Sequence, residues 1–309
     1  MSRLVLIDGH AILHRAYHAY PPLTTSKGEL INAVYGFTSI LLTVLRQLKP
    51  KYVVVAFDLA KPTFRHKEFK AYKAHRPKVD QELTGQIPRT HQVVKTLNIP
   101  IFEVEGYEAD DVIGTLAKKA QLDEVIIVTG DRDAFQLIDN KIKVFVPGKG
   151  KRLALMFDRK VFLEKYGFEP RYLVDFKALA GDASDGIPGV KGIGPKTTTQ
   201  LITQFGSLKE IYSNLDRIDK KIVGKLKKEE EQAFLSYHLA EIVTSVPMEF
   251  SLEKCRLTDY DKQKAVAVFE ELEFKSLINK LPNDDWEEDV EDILVHEKEK
   301  QEGEQITLF

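Results

Sequence analysis

The sequence predicts an α/β fold built on a largely parallel sheet, and the pattern of its apolar runs is the first observation behind this. Leu4-Val5-Leu6-Ile7, Tyr52-Val53-Val54-Val55-Ala56-Phe57 and Val125-Ile126-Ile127-Val128 are continuous rather than alternating, as in strands buried on both faces. The second observation is that each run delivers acid at its carboxyl end: Asp8, Asp58, and Asp131 with Asp133. In open α/β sheets the site lies at that edge.

A third group of acids, Glu108, Asp110 and Asp111 in Gly106-Tyr107-Glu108-Ala109-Asp110-Asp111, opens a helical segment. One acid at a helix start is explained by the helix dipole. Convergence with the acids of three strand ends is not. Packed together, such carboxylates repel one another and hold protons. Divalent cations remove that penalty, and hard ions such as Mg²⁺ prefer oxygen ligands.

At 309 residues the chain accommodates a sizeable α/β core with an added module. No apolar run approaches the roughly 20 residues that span a bilayer, so no membrane association is expected. A lone Cys255 allows no internal disulfide, which fits a reducing cytoplasm. The formal charge of −2 hides an asymmetry. Of 45 basic and 47 acidic side chains, 2 and 11 fall from Pro282 onward, leaving residues 1–281 at +7. A polyanionic partner follows from that balance.

Gly9 to His18 reads as a short helix leaving the first strand. His10, His14 and His18 share one face of it, but the further ligands of a zinc site are missing nearby, so they read as surface or packing residues. Arg15, near Asp8, could meet a phosphate. Ile31 to Leu48 has the spacing of a core helix. Thr63 to Lys78 interleaves cations with aromatics, and on a helix it would bring Arg65, Tyr72, Lys73 and Arg76 together. Such a face tracks a phosphate backbone and stacks an unpaired base. The plainer alternative is an amphipathic helix with a solvated basic face. Leu97 to Val104 suggests another strand, and Lys143–Val146 with Leu153–Met156 a hairpin. Asp158 caps a helix running to Tyr166, and Pro170 opens one ending near Gly181.

Asp182 and Asp185 then precede Gly189-Val190-Lys191-Gly192-Ile193-Gly194-Pro195-Lys196. Between helices this is a helix-hairpin-helix signature, in which glycines admit close backbone approach to a phosphodiester and Lys191 and Lys196 bind it without reading sequence. Thr199 to Leu281 reads as helical, with turns at Gly206, Asn214 and Gly224. Beyond Pro282 the sequence is too polar to fold alone. The expected organisation is an α/β core at 1–180 with a basic segment at about 60–95, a hairpin and helical region at 181–281, and an acidic tail at 282–309.

Taken together, Asp8-Gly9, Ala56-Phe57-Asp58, Phe64-Arg65-His66, Tyr72 to Arg76, Gly106 to Asp111, Thr129 to Asp133, Gly181 to Asp185 and Gly189 to Gly194 resemble the motifs of the 5′–3′ exonuclease and flap endonuclease family. The likeness covers residues 1 to about 281. It implies a PIN-like, largely parallel sheet flanked by helices, with a helical arch and a helix-hairpin-helix module. Asp8, Asp58, Glu108, Asp110 and Asp111 then match a first metal group, and Asp131, Asp133, Asp182 and Asp185 a second. Arg65, Lys73 and Arg76 match the arch cations and Tyr72 an aromatic beside them. Gly189, Val190, Lys191, Gly192, Ile193, Gly194 and Lys196 match the duplex-binding hairpin. Arg132 and Gly186 depart from the more usual Lys and Asn, and neither is a metal ligand.

The activity implied is two-metal hydrolysis of a phosphodiester near a 5′ junction, with Asp110 and Asp131 central and Arg65 and Lys73 holding the scissile phosphate. Two Mg²⁺ ions are implied, with Mn²⁺ as a substitute and K⁺ at the hairpin. The partners are DNA with a 5′ flap, nick or RNA-primed end, bound by a cytoplasmic monomer. A junction-binding scaffold that has lost catalysis is the alternative, although every matching acid is present. A nucleotide-binding or phosphatase-like reading lacks a Gly-rich loop after the first strand. Finally, Gln305-Ile306-Thr307-Leu308-Phe309 is similar to the short peptides that dock on the bacterial sliding clamp. The acidic tail would tether it with a reach of ~25 Å, as expected of a stand-alone nuclease with its own natural end.

Overall fold

A computed structural model describes residues 2–76, 80–148, 153–257 and 260–282. Its sheet has the order β3-β2-β1-β4-β5-β6, from strands β1 (Arg3–Asp8), β2 (Tyr52–Ala56), β3 (Ile101–Phe102), β4 (Glu124–Val128), β5 (Ile142–Val146) and β6 (Leu155–Phe157). All pairs are parallel except β5 with β6. The expected α/β class and parallel sheet are therefore found. The strand read over Leu97–Val104 shrinks to the two residues of β3, and the expected hairpin is the β5–β6 pair, its tip at 149–152 lying outside the described residues.

Continuous apolar strands are explained by two cores, one on each face. Leu4, Leu6, Val54, Val125 and Ile127 point into one, and Val5, Ile7, Val53, Val55, Ile126 and Val128 into the other, all at most 1% exposed. Period-two alternation within unbroken apolar runs requires both faces to be covered. One face is covered by α1 (Gly9–Ala19), α2 (Asn32–Leu48) and later helices; the short α3 (Phe64–Glu68) and α4 (Gln81–Thr84) come next, then α5 (Ile87–Thr96). The other face receives α6 (Ala109–Lys119), α7 (Arg159–Tyr166), α8 (Leu173–Ala180), α9 (Pro195–Phe205), α10 (Leu208–Ser213) and α11 (Lys220–Lys228), followed by α12 (Glu230–Ala240). The chain then returns to the first face through α13 (Lys262–Glu271) and α14 (Lys275–Ile278).

Two expectations of helix are corrected. The helix expected over Thr63–Lys78 is not found across its described residues: α3 ends at Glu68, turns follow, and Lys73 takes a left-handed φ of 51°. Its backbone N–H donates to the Asp185 carbonyl (2.8 Å), a tertiary bond that a helical Lys73 would forgo. Nor is 199–281 helical throughout. Residues 241–250 contain no helix, because side chains take their N–H groups: Ile242 N–H reaches Gln136, Val243 N–H Asp111 and Val246 N–H Thr115. Gly224, read as a turn, lies inside α11.

Candidate active site

The acids gather at the carboxyl edge of the sheet, around β1 and its neighbours β2 and β4. Asp8 ends β1 and caps α1, its Oδ1 accepting from Ala11 N–H (2.9 Å) while Oδ2 accepts from the Thr129 hydroxyl (2.7 Å). Asp58, just past β2, accepts from Ala109 N–H at the start of α6 (2.8 Å) and faces His10 at 3.5 Å. Beyond β4, Asp131 Oδ1 accepts from Asp133 N–H (2.9 Å), which fixes the turn carrying both. These bonds lock each carboxylate by the end of the element that delivers it.

Burial pushes the Asp8 carboxyl up to about 7, aided by the charges of Asp58 and Asp131 and opposed by its two hydrogen bonds. Asp110 is also held well above the ordinary carboxylate range, by burial first and then by Asp8 and Asp131. Neither Asp8, Asp110 nor Asp131 has a side-chain cation within ion-pair reach among the described residues. This is the signature of carboxylates awaiting a cation.

The second cluster joins Asp133, from the turn after β4, to the turn that follows α8. Asp133, Asp182 and Asp185 each bring an oxygen within 4.8 Å of the others. Hard oxygen donors at that spacing suit a divalent ion. Among the described residues no other group of three His, Cys, Asp or Glu meets that distance, the three histidines of α1 included. Lys177 of α8 lies within them, 2.5 Å from Asp182 Oδ2 and bonded to Asp133 Oδ1. Burial raises Asp133 to about 6 despite Lys177, with Asp131 adding repulsion. Burial acts the same way on Asp182, but Lys177 and two Ser184 bonds outweigh it and hold that carboxyl at about 2. Burial lowers Lys177 itself, and the two acids more than reverse this.

Arg65 corrects an expectation. It is 3% exposed, and its guanidinium grips fully buried Asp111 through two bonds of 2.7 Å. Nε and Nη2 also reach the carbonyls of Leu239 (3.0 Å) and Glu241 (2.6 Å). The Arg65 donors are committed inside the protein rather than turned toward the open site the sequence suggested. Asp111, saturated by Arg65 and by Glu108 and Val243 N–H groups, is likewise not a free metal ligand. Glu108 Oε2 receives Tyr72 Oη (3.1 Å) and Lys73 Nζ (3.0 Å). Tyr72 is 3% exposed, so its ring presents no surface on which a base could stack. Arg76 remains at the surface, bonded to Asp185 (2.5 Å) and the Ser184 carbonyl. Arg15 is half-buried at the site edge, donating to the Pro147 carbonyl (2.5 Å).

The glycine-rich turn joins α8 to α9. Gly189 has φ 64°, and a Cβ there would lie 2.3 Å from Gly181 N, so only glycine fits. Val190 and Ile193 are buried anchors, while Lys191 and Lys196 are exposed. Two cations escaped the sequence reading. Lys225, from the lysine-dense α11, donates to the Gly192 carbonyl (2.7 Å). Lys177 was signalled only as the one charged base on an otherwise apolar turn of helix. Arg76, Asp131, Asp133, Lys177 and Asp182 share a cleft of about 560 Å³ with Tyr166 and Phe176.

The chain is 44% identical over 290 residues to DNA polymerase I of Caldicellulosiruptor bescii, covering 90% of this chain and 33% of that protein. It is 40% identical over 289 residues to DNA polymerase I of Bacillus subtilis, covering 93% and 33%. It thus spans about a third of the length of these relatives. The fold is shared with a zinc-bound T5 5′-exonuclease (TM-score 0.66, 24% identity, 78% of this chain and 90% of that one). It is shared also with the catalytic core of Rad2 in complex with DNA substrate (TM-score 0.56, 17% identity, 88% and 87%). Residues 3–167 match the 5′-3′ exonuclease N-terminal resolvase-like domain, and residues 168–263 the 5′-3′ exonuclease C-terminal SAM fold. With the acids, the hairpin and the sheet order all falling inside these two matches, the chain belongs to the 5′–3′ exonuclease family.

Proposed function

We propose that this nuclease hydrolyses a phosphodiester next to a 5′ junction of DNA, a flap, nick or RNA-primed end, using Mg²⁺. The observation that carries the reading is the meeting of acids from β1, β2, β4, α6 and the turn after α8 at one sheet edge, three of them within 4.8 Å. Asp8, Asp58, Glu108 and Asp110 on one side, and Asp131, Asp133, Asp182 and Asp185 on the other, would hold the ions, with Mn²⁺ as a substitute. A bound divalent ion supplies an activated water and stabilises the leaving oxygen.

The chain's own groups do the rest. Thr129 and Ala11 N–H fix Asp8, and Arg65 with Asp111 fixes the start of α6 beneath Asp110. Lys73 and Arg76 are the cations nearest the acids with access to a phosphate. The exposed Lys191 and Lys196, with the glycine backbone between them, would grip the duplex by its phosphates, and K⁺ would join them there.

The protein acts as a cytoplasmic monomer; among the described residues no helix is long and apolar enough to cross a membrane. Residues 305–309 would dock on a bacterial sliding clamp; they and the acidic tail from residue 283 lie outside the described residues. Cleavage of end-labelled 5′-flap, nicked and single-stranded DNA, in Mg²⁺ or EDTA, tests the central reading. Release of 5′ products in Mg²⁺ alone is expected, and binding without any cleavage would leave only a scaffold. Clamp titration with the full chain and with one lacking residues 305–309 tests the docking; equal affinities would remove it.

A further inference from the structure

The second acid group already contains a cation. Lys177 is 9% exposed, and its ammonium contacts two of the three carboxylates whose oxygens converge within 4.8 Å. The third, Asp185, is met by Arg76 at 2.5 Å and by Lys73 at 3.9 Å. In the first group Asp8 and Asp110 have no such partner among the described residues, and Glu108 is met by Lys73 at 3.0 Å. Three carboxylates brought together in a partly buried site repel one another unless a positive charge lies among them. An ammonium meets that need with three donors and a single charge. A divalent ion at these carboxylates brings twice the charge and would sit against the ammonium already there, so the two compete for the site. Lys177 also lines the 560 Å³ cleft beside Asp131 and Ser184, which leaves open volume into which its flexible stem can turn.

We propose that Lys177 is a built-in placeholder for the ion of the second acid group, holding Asp133 and Asp182 until that ion displaces it. The proposal rests on the reading of these acids as metal ligands. It has two consequences. The acid groups load in order, the first before the second, because Asp8 and Asp110 offer their oxygens without an ion pair to break, whereas Asp133 and Asp182 must first release Lys177. The displaced ammonium then becomes a free cation at the wall of the cleft, next to where a phosphate would lie.

The test is an Mn²⁺ titration of the full chain, free Mn²⁺ being read by electron paramagnetic resonance, for wild type, Lys177→Met and Lys177→Arg. Wild type should bind in a tight and a weak class. Lys177→Met, similar in length and uncharged, should tighten the weak class at least tenfold, and Lys177→Arg should restore it. Lys177→Met should also melt lower than wild type in EDTA and recover in Mn²⁺. If Lys177→Met does not fold, Lys177→Gln, which keeps donors without charge, carries the same comparison. Unchanged or weakened Mn²⁺ binding in the uncharged variant would overturn the placeholder role and leave an ordinary structural ion pair. Absence of any Mn²⁺ binding by wild type would instead defeat the metal-site reading beneath it.

Discussion

Replacing Arg65 by Met should unfold the start of α6 rather than disable chemistry directly. Arg65 is 3% exposed and Asp111 0%, and two 2.7 Å bonds join them. The substitution leaves a buried carboxylate with only the Glu108 and Val243 N–H groups as partners. It also strips a donor from each of the Leu239 and Glu241 carbonyls. Breaking such a pair on one side costs about 3–5 kcal/mol, a large part of the roughly 5–15 kcal/mol that holds a typical protein folded. Asp111→Asn should cost a similar amount, since it leaves the guanidinium buried with half its charge balance removed. The double variant Arg65→Met with Asp111→Leu should recover part of the loss, because apolar replacement removes both charges together. Urea unfolding in EDTA, followed by circular dichroism, measures all three. An Arg65→Met protein within about 1 kcal/mol of wild type that has nonetheless lost cleavage would refute this reasoning and restore a direct phosphate contact.

Asp110→Asn should leave the fold intact and lower single-turnover cleavage roughly 10²–10³-fold, the several kcal/mol that metal stabilisation supplies; near-normal turnover would remove Asp110 from the site. In EDTA, stability should fall as pH rises from about 4 to 7. Asp8 sheds its proton at 3.8 when unfolded and at about 7 when folded, so its contribution is full below the lower value and lost through the upper. The loss is on the order of 4 kcal/mol over the whole window and about 3 kcal/mol between pH 5 and pH 8, readable as a lower urea midpoint at pH 8 than at pH 5, with Mn²⁺ restoring the midpoint at pH 8. A higher midpoint at pH 8 in EDTA would contradict it. Lys191→Ala with Lys196→Ala should weaken duplex binding for every sequence and flatten the logarithmic salt slope by about 2, measured by fluorescence anisotropy; an unchanged slope would place the duplex elsewhere. Gly189→Ala should destabilise by a few kcal/mol, since its φ is 64° and the new Cβ would meet Gly181 N at 2.3 Å; a neutral thermal melt would show that the turn yields.

Much of the site was legible because strand ends are local information. Leu4–Ile7, Tyr52–Phe57 and Val125–Val128 declare their burial by being unbroken, and the acid after each run needs only the sheet to reach its neighbours. The glycine turn was legible for a related reason, as positive φ and close approach write glycine into fixed positions. Arg65 was misread because a basic residue in a basic segment looks the same whether it faces a phosphate or a buried acid. Only the packing of 239–243 against α6 decides which, by supplying the carbonyls that complete its hydrogen bonds. Tyr72 illustrates the same limit, its ring buried by a turn that replaces the expected helix. Lys177 was hidden too, since its partner Asp133 lies 44 residues away and a single base on an apolar turn of α8 does not say which acid it meets. Sequence alone thus determined the central strands, most of the helices that cover them and where carboxylates leave the sheet, because burial and turn geometry act along the chain. The tertiary structure alone decided which charges neutralise one another, because ion pairing depends on distances across it.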